Sequence, residues 1–259
     1  MGWHRRSHGQ CHPRATTGRR LGRTASRRGG SRGSFGTFRP EGGQTLSVPI
    51  LCIQRPGAIE RAVATLRAGE LVVIPTETVY GIAVLPDSLP LLFERVYGLR
   101  EAKPWSALPL LLDSAARLPQ LARPNRVAEQ LARHFWPGAV TLILPAAPHC
   151  PISFTPPRVA LRVPHFPALF PLLQAMGGFL IVGRAARSGH TSSITAQEAA
   201  EQLGDDVALI LDGGPSSQGI VSTVVNCITV PPRIVQRGAV PENKLWAVLN
   251  PGSQKTRTT

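Results

Sequence analysis

Aromatic side chains are scarce in this chain, at 5% of its 259 residues. Few rings are on hand to stack nucleobases, so a core must come from the aliphatic residues within the 42% hydrophobic share. Cysteine is sparse too. Cys11, Cys52, Cys150 and Cys227 are scattered, with no CxxC pair and no Cys/His ligand spacing. Neither a disulfide framework nor a zinc site is indicated, and a reducing, cytoplasmic setting is the expectation. No apolar run approaches the ~20 residues a membrane helix needs, so no membrane partner is expected.

Acids are nearly missing from the front of the chain. Residues 1–46 hold ten arginines, no lysine and a single acid, Glu41. They carry +9 of the formal net charge of +14, leaving +5 for the rest. This stretch is rich in Gly, Ser and His and shows no apolar periodicity. It cannot bury enough surface to offset its chain entropy, so disorder is expected. Three readings stay open for it: an arm that neutralises nucleic-acid phosphates, a transit peptide, or non-structural sequence translated from an upstream start codon. Residues 246–259 read as a loose tail. A single domain is expected over residues 50–245.

Within that span, helical and strand patterns alternate. Ile59, Ala62, Val63 and Leu66 keep helical spacing, and Gly69 is placed to end that helix. Residues 71–74 form a short continuous apolar run, as in a strand covered on both faces. Asp87 or Ser88 is placed to cap a helix through Leu91, Leu92, Val96 and Leu99. Residues 108–112, 140–144, 159–163 and 179–182 read as strands. Helices are expected over 125–135 and 166–176, with Pro167 and Pro171 starting or kinking the second. Thr195 and Glu198 form a capping box. Residues 207–211, 222–228 and 233–236 complete the strands. Several strands follow one another directly, which predicts an α/β domain with a mixed sheet and flanking helices.

Strand ends carry polar corners. "IPTETVYG" sets Thr76, Thr78 and Tyr80 after the first strand. "WPGAVTLIL" puts Thr141 inside an apolar strand, and "VALRVP" puts Arg162 in the middle of another. "LDGGPSSQGIVSTVV" places Asp212, glycines and serines between strands, then Ser222 and Thr223. Each has an ordinary explanation. Threonine suits strands, an arginine in a strand is usually at an edge or in a surface pair, and Asp-Gly-Gly-Pro makes a turn. Their convergence counts for more, because open α/β sheets place ligands where strand ends meet.

"GELVVIPTETVYGI", "WPGAVTLIL", "VALRVPHFP", "LILDGG" and "STVVN" occur in the order and approximate spacing of the YrdC-like threonylcarbamoyl-adenylate synthases. Over residues 56–240 the chain resembles that family. The resemblance implies a single twisted mixed sheet with a concave basic face and flanking helices. It implies condensation of L-threonine, bicarbonate and ATP into threonylcarbamoyl-AMP with release of pyrophosphate, Mg2+ accompanying the ATP. The product would feed threonylcarbamoyladenosine modification of tRNA, with that machinery, tRNA and double-stranded RNA as partners. Carried onto this chain, the threonine site comprises Thr76, Thr78, Tyr80, Arg162 and Ser222. The nucleotide site comprises Arg100, Lys103, Ser106, Thr141, Arg184 and Arg237, with Arg100 and Arg162 as the catalytic pair. Positioning and charge neutralisation would carry such chemistry.

The chain departs from the family pattern on the nucleotide side. Arg100 and Ala102 stand at a Lys-x-Arg, with Lys103 one position late. Leu111 replaces a polar group at the end of the next strand. Arg184 and Ala186 stand at a Ser-x-Asn, with Arg187 close by, and Gln236 then Arg237 at an Arg-Pro-Gly. A second reading follows: a catalytically degenerate relative that binds RNA or another anion in a basic groove.

Overall fold

A computed structural model describes residues 48–96, 108–152 and 157–250. The extension 1–46 and the positions Arg100, Ala102, Lys103 and Ser106 lie outside the described residues. The ten strands are β1 (Ile50–Cys52), β2 (Val72–Ile74), β3 (Gly81–Val84), β4 (Pro109–Leu112), β5 (Val140–Pro145), β6 (Arg158–Arg162), β7 (Phe179–Arg184), β8 (Leu209–Asp212), β9 (Thr223–Asn226) and β10 (Arg233–Gln236). They form one sheet in the order β1-β8-β2-β3-β7-β4-β6-β5-β9-β10. The pairs β1/β8, β2/β8, β4/β6 and β5/β9 are parallel and the other five antiparallel, the mixed pattern expected.

Two strands are additional to the sequence reading. β1 is three half-buried residues, too short to show a period. β3 is buried on both faces, so "GIAV" shows no alternation.

The register assigns the two faces. Ile181, Leu110, Leu161, Leu142 and Val225 stand on one rung across β7, β4, β6, β5 and β9 and belong to the larger core. Helices Arg126–Phe135 and Ala196–Leu203 bury Leu131 and Leu203 in that core. Alternate residues point to the opposite face. There, helices Ala58–Arg67 and Phe170–Ala175 pack together over the half of the sheet that carries Val72, Ile74, Ala83 and Leu209. The other half, β4, β6, β5 and β9, carries the site on this face.

Two local signals, Gly69 and the Thr195 capping box, act as expected, and Asn125 supplies a cap that the sequence reading did not name. Gly69 has φ +83° and its N–H bonds to Leu66 O at the end of helix Ala58–Arg67. Asn125 Oδ1 accepts from Ala128 N at 3.0 Å, capping helix Arg126–Phe135. Thr195 Oγ1 accepts from Glu198 N at 3.1 Å, while Glu198 Oε2 accepts from Ile194 N at 2.8 Å. The reciprocal bond thus lands one residue before its usual place.

Three local expectations are corrected. Asp87 and Ser88 do not cap a long helix. They lie inside a 3-10 turn, Pro86–Ser88, followed by Leu89–Leu91 and a single π turn over Leu92–Val96. Pro90 supplies no N–H, which suits only a helix start. The helix expected over 166–176 is a 3-10 turn, Pro167–Leu169, and then Phe170–Ala175, each with a proline in its first turn. The last helix, Glu242–Leu249, runs past the expected boundary at 245 and buries Leu245.

Candidate functional site

Thr76 explains the hydroxyl cluster at the end of β2. Its Oγ1 accepts from Thr78 N at 3.2 Å and Val79 N at 3.3 Å, lies 2.6 Å from Val79 O, and shares a bond with Thr78 Oγ1 at 2.9 Å. One side chain thereby folds the loop between β2 and β3 back on itself. The chain 213–222 holds the loop from outside. Ser216 Oγ donates to Thr76 O at 2.9 Å, and Gln218 N donates to Glu77 O at 2.9 Å. Tyr80 Oη donates to Gly214 O at 2.8 Å and accepts from Gly213 N at 3.2 Å.

Arg162 meets this loop from β6. Its Nη1 donates to Thr78 Oγ1 at 2.9 Å and its Nε to Gly138 O at 3.0 Å. Its Nη2 lies 2.8 Å from Glu77 Oε1. That separation is an ion pair, but the angles are not those of a hydrogen bond, so neither Glu77 oxygen has a hydrogen-bond partner among the described residues. The sequence pointed to an edge or surface pair as the ordinary place for such an arginine. The structure instead buries Arg162, Glu77, Thr76, Thr78 and Thr141 together.

A cavity of about 710 Å3 opens above these groups. Thr76, Thr78, Tyr80, Thr141, Arg162, Arg184 and Ser222 all line it. Thr141 Oγ1 and Ser222 Oγ lie 2.8 Å apart in its lining. Leu111, Ala160, Val182 and Ile143 make its floor apolar.

Two arginines are placed elsewhere. Arg237 is outside the lining, 88% exposed, and 3.5 Å from Glu242, whereas Gln236 lines the cavity. Arg237 lies just beyond the end of β10, whose pairing with β9 is already interrupted by a bulge between Ile234 and Gln236. Arg187 is turned away, paired with Asp206 and donating through Nε to Gln202 O at 2.7 Å. Ala186 is buried beside it.

Sequence reasoning missed three participants. Glu77 carries no local signal, because a glutamate is almost never buried unless paired and its partner Arg162 is remote in the chain. Arg158 lines the cavity, and its spacing of four from Arg162 on one strand was the signal available. Asn226 lines it from β9. Among the described residues there is no cluster of His, Cys, Asp and Glu that could hold a metal ion, and no helix is long and apolar enough to cross a membrane.

Comparison with known proteins agrees with this architecture. The family model Sua5_yciO_yrdC, described as telomere recombination, matches residues 64–238. A Mycobacterium tuberculosis relative is 35% identical over 207 residues, 76% of this chain and 91% of its own. A Bacillus subtilis protein named threonylcarbamoyl-AMP synthase is 32% identical over 197 residues, 74% of this chain but 57% of its own. The crystal structure of Pyrococcus abyssi Sua5 complexed with L-threonine superposes with a TM-score of 0.70 at 29% identity, covering 78% of this chain and 60% of that one.

Proposed function

The chain belongs to the Sua5/YciO/YrdC family, and from that premise we propose that it is an L-threonylcarbamoyl-AMP synthase. The observation that carries the reading is Arg162, buried on β6 and bonded through Nη1 to Thr78 Oγ1 at the cavity wall. Hydroxyls on two walls and a fixed guanidinium between them suit a small amino acid with a hydroxyl and a carboxylate. Relatives that carry this name, and a relative with L-threonine bound, support the same substrate.

The chemistry asked of the residues is modest. The threonine amine and bicarbonate condense to a carbamate with loss of water. A carbamate oxygen then attacks the α-phosphorus of ATP, and the bond to pyrophosphate breaks. Thr78 and Ser222 orient the amino acid, Thr141 lies on the nucleotide side, and Tyr80 fixes the wall. Arg162 holds negative charge in a site of low polarity, where such a donor is worth far more than in water. Arg184 faces the nucleotide. Mg2+ enters with the phosphates of ATP. It keeps much of its water and needs few protein carboxylates, which fits a lining with no Asp or Glu among the described residues. The product passes to tRNA modification.

The test is pyrophosphate release from ATP and Mg2+ with bicarbonate, with and without L-threonine. Threonine-dependent release supports the reading. Release no faster than the enzyme-free control at high protein concentration removes it, and moves the chain to the degenerate, anion-binding alternative.

A further inference from the structure

We propose that Glu77 is a specificity-determining residue. By compensating Arg162 from behind the cavity wall, it makes that end of the cavity a site for a zwitterion and closes it to simple anions. The proposal rests on the threonine site proposed above. Thr76 and Thr78 line the cavity, but Glu77 between them does not. Gln218 N at 2.9 Å and Ser217 Oγ at 3.4 Å both donate to Glu77 O. They fix the backbone from which the carboxylate is aimed at Arg162. Oε1 of Glu77 lies 2.8 Å from Nη2, and both residues are buried. Neither carboxylate oxygen takes a hydrogen bond from the described residues. Buried polar groups are ordinarily hydrogen-bonded, so what Glu77 supplies here is charge.

The surroundings of Arg162 make that charge matter. Leu111 of β4 stands opposite it. Among the described residues no carboxylate lines the cavity. Without Glu77, this wall would hold an uncompensated guanidinium in a setting of low polarity, and any small anion would relieve it. With Glu77 behind it, the guanidinium still donates through Nη1, on the side of Thr78 Oγ1. The pair, however, carries no net charge. A plain anion gains from Arg162 and is opposed by Glu77. A zwitterion sets its carboxylate toward the guanidinium and gains from Glu77 through its ammonium. A free α-amino acid has that charge pattern. Discrimination then comes from a repulsive element as well as an attractive one. A counter-ion that served only to keep Arg162 folded in place would treat both kinds of ligand alike.

The test compares L-threonine with two analogues that each lack one charge. β-Hydroxybutyrate keeps the hydroxyl and the carboxylate but has no ammonium. L-Threonine methyl ester keeps the ammonium but has no carboxylate. Each is titrated calorimetrically into the full chain, the analogues also as competitors of L-threonine. Wild type is expected to prefer L-threonine to both. Glu77→Gln keeps the side-chain length and deletes the charge. It should weaken L-threonine and strengthen β-hydroxybutyrate, narrowing the ratio between them about tenfold, the scale of one charge acting at close range inside a protein. Glu77→Asp keeps the charge and should keep the wild-type ratio even where both affinities fall. Glu129→Gln, exposed on helix Arg126–Phe135, is the charge control and should match wild type. Proportional loss of both ligands in Glu77→Gln would make Glu77 a structural counter-ion and overturn the proposal. So would a wild type that binds β-hydroxybutyrate as tightly as L-threonine. That comparison needs no variant, and with Glu77→Asp it decides the matter if Glu77→Gln does not fold. A chain that shows the Glu77-dependent preference but releases no pyrophosphate keeps this assignment and loses the synthase. A chain that releases pyrophosphate with threonine but binds both ligands alike keeps the synthase and loses this assignment.

Discussion

Arg162 Nη2 lies 2.8 Å from Glu77 Oε1, and the two side chains are 7% and 4% exposed. Water can screen neither charge. Removing one partner of such a pair leaves the other buried and uncompensated, at about 3–5 kcal/mol. Glu77→Ala should therefore lower the stability measured by urea unfolding by about that amount. A loss under about 1 kcal/mol would show that Arg162 finds another partner and that the pair does not anchor the site.

Thr78→Val keeps the side-chain volume and deletes the hydroxyl that accepts from Arg162 Nη1 and bonds Thr76 Oγ1. The orphaned buried donor costs about 1–3 kcal/mol. L-threonine affinity, read by calorimetry, should fall about tenfold or more, while Thr65→Val at a half-buried position of helix Ala58–Arg67, outside the cavity lining, should leave it alone. Equal affinities in the two variants would remove Thr78 from the threonine site.

Much of this architecture was legible before any coordinates. The apolar runs gave most of the strands because sheet burial on both faces leaves a continuous hydrophobic signal. Thr195 marks its helix start because capping is a local bond. The site was legible where it depended on strand alternation. Thr141 and Arg162 come out on one rung of the cavity face. What could not be read was tertiary. Glu77 is buried only because β6 brings a guanidinium to it across 85 residues of chain. Nothing in "GRAARSG" reveals that Asp206 is the neighbour that turns Arg187 away. β1 had to await its partner β8, 160 residues on, for its extended state to make sense.

Burial pushes the Cys227 thiol up from an ordinary value of 9.0 to about 12. The folded-state value lies above the unfolded one, so the neutral thiol is favoured by folding. That contribution is complete below about pH 9 and is lost as the pH rises towards about 12. Urea midpoints followed over that window should fall more steeply for wild type than for Cys227→Ala. Because the thiolate is the nucleophile, Cys227 should also resist iodoacetamide at pH 8 until the chain is unfolded. Parallel pH profiles and rapid labelling of the native chain would refute the assignment.

Gly238 ties the sheet edge to the site. A Cβ placed there would collide with Val221 O and with the Ser222 backbone, neither of which can swing aside as a side-chain tip can. Ser222 is also held by Gln236 Nε2, which donates to its carbonyl at 2.9 Å, and its Oγ meets Thr141 Oγ1. Gly238→Ala must therefore move Ser222 relative to Thr141. Overpacking of this kind costs about 1–3 kcal/mol, and β9 and β10 sit at one end of the sheet, so the core should survive it. The expected result is a folded variant with weakened L-threonine binding, read by calorimetry. Unchanged threonine affinity would mean that the Ser222 wall does not contact the amino acid.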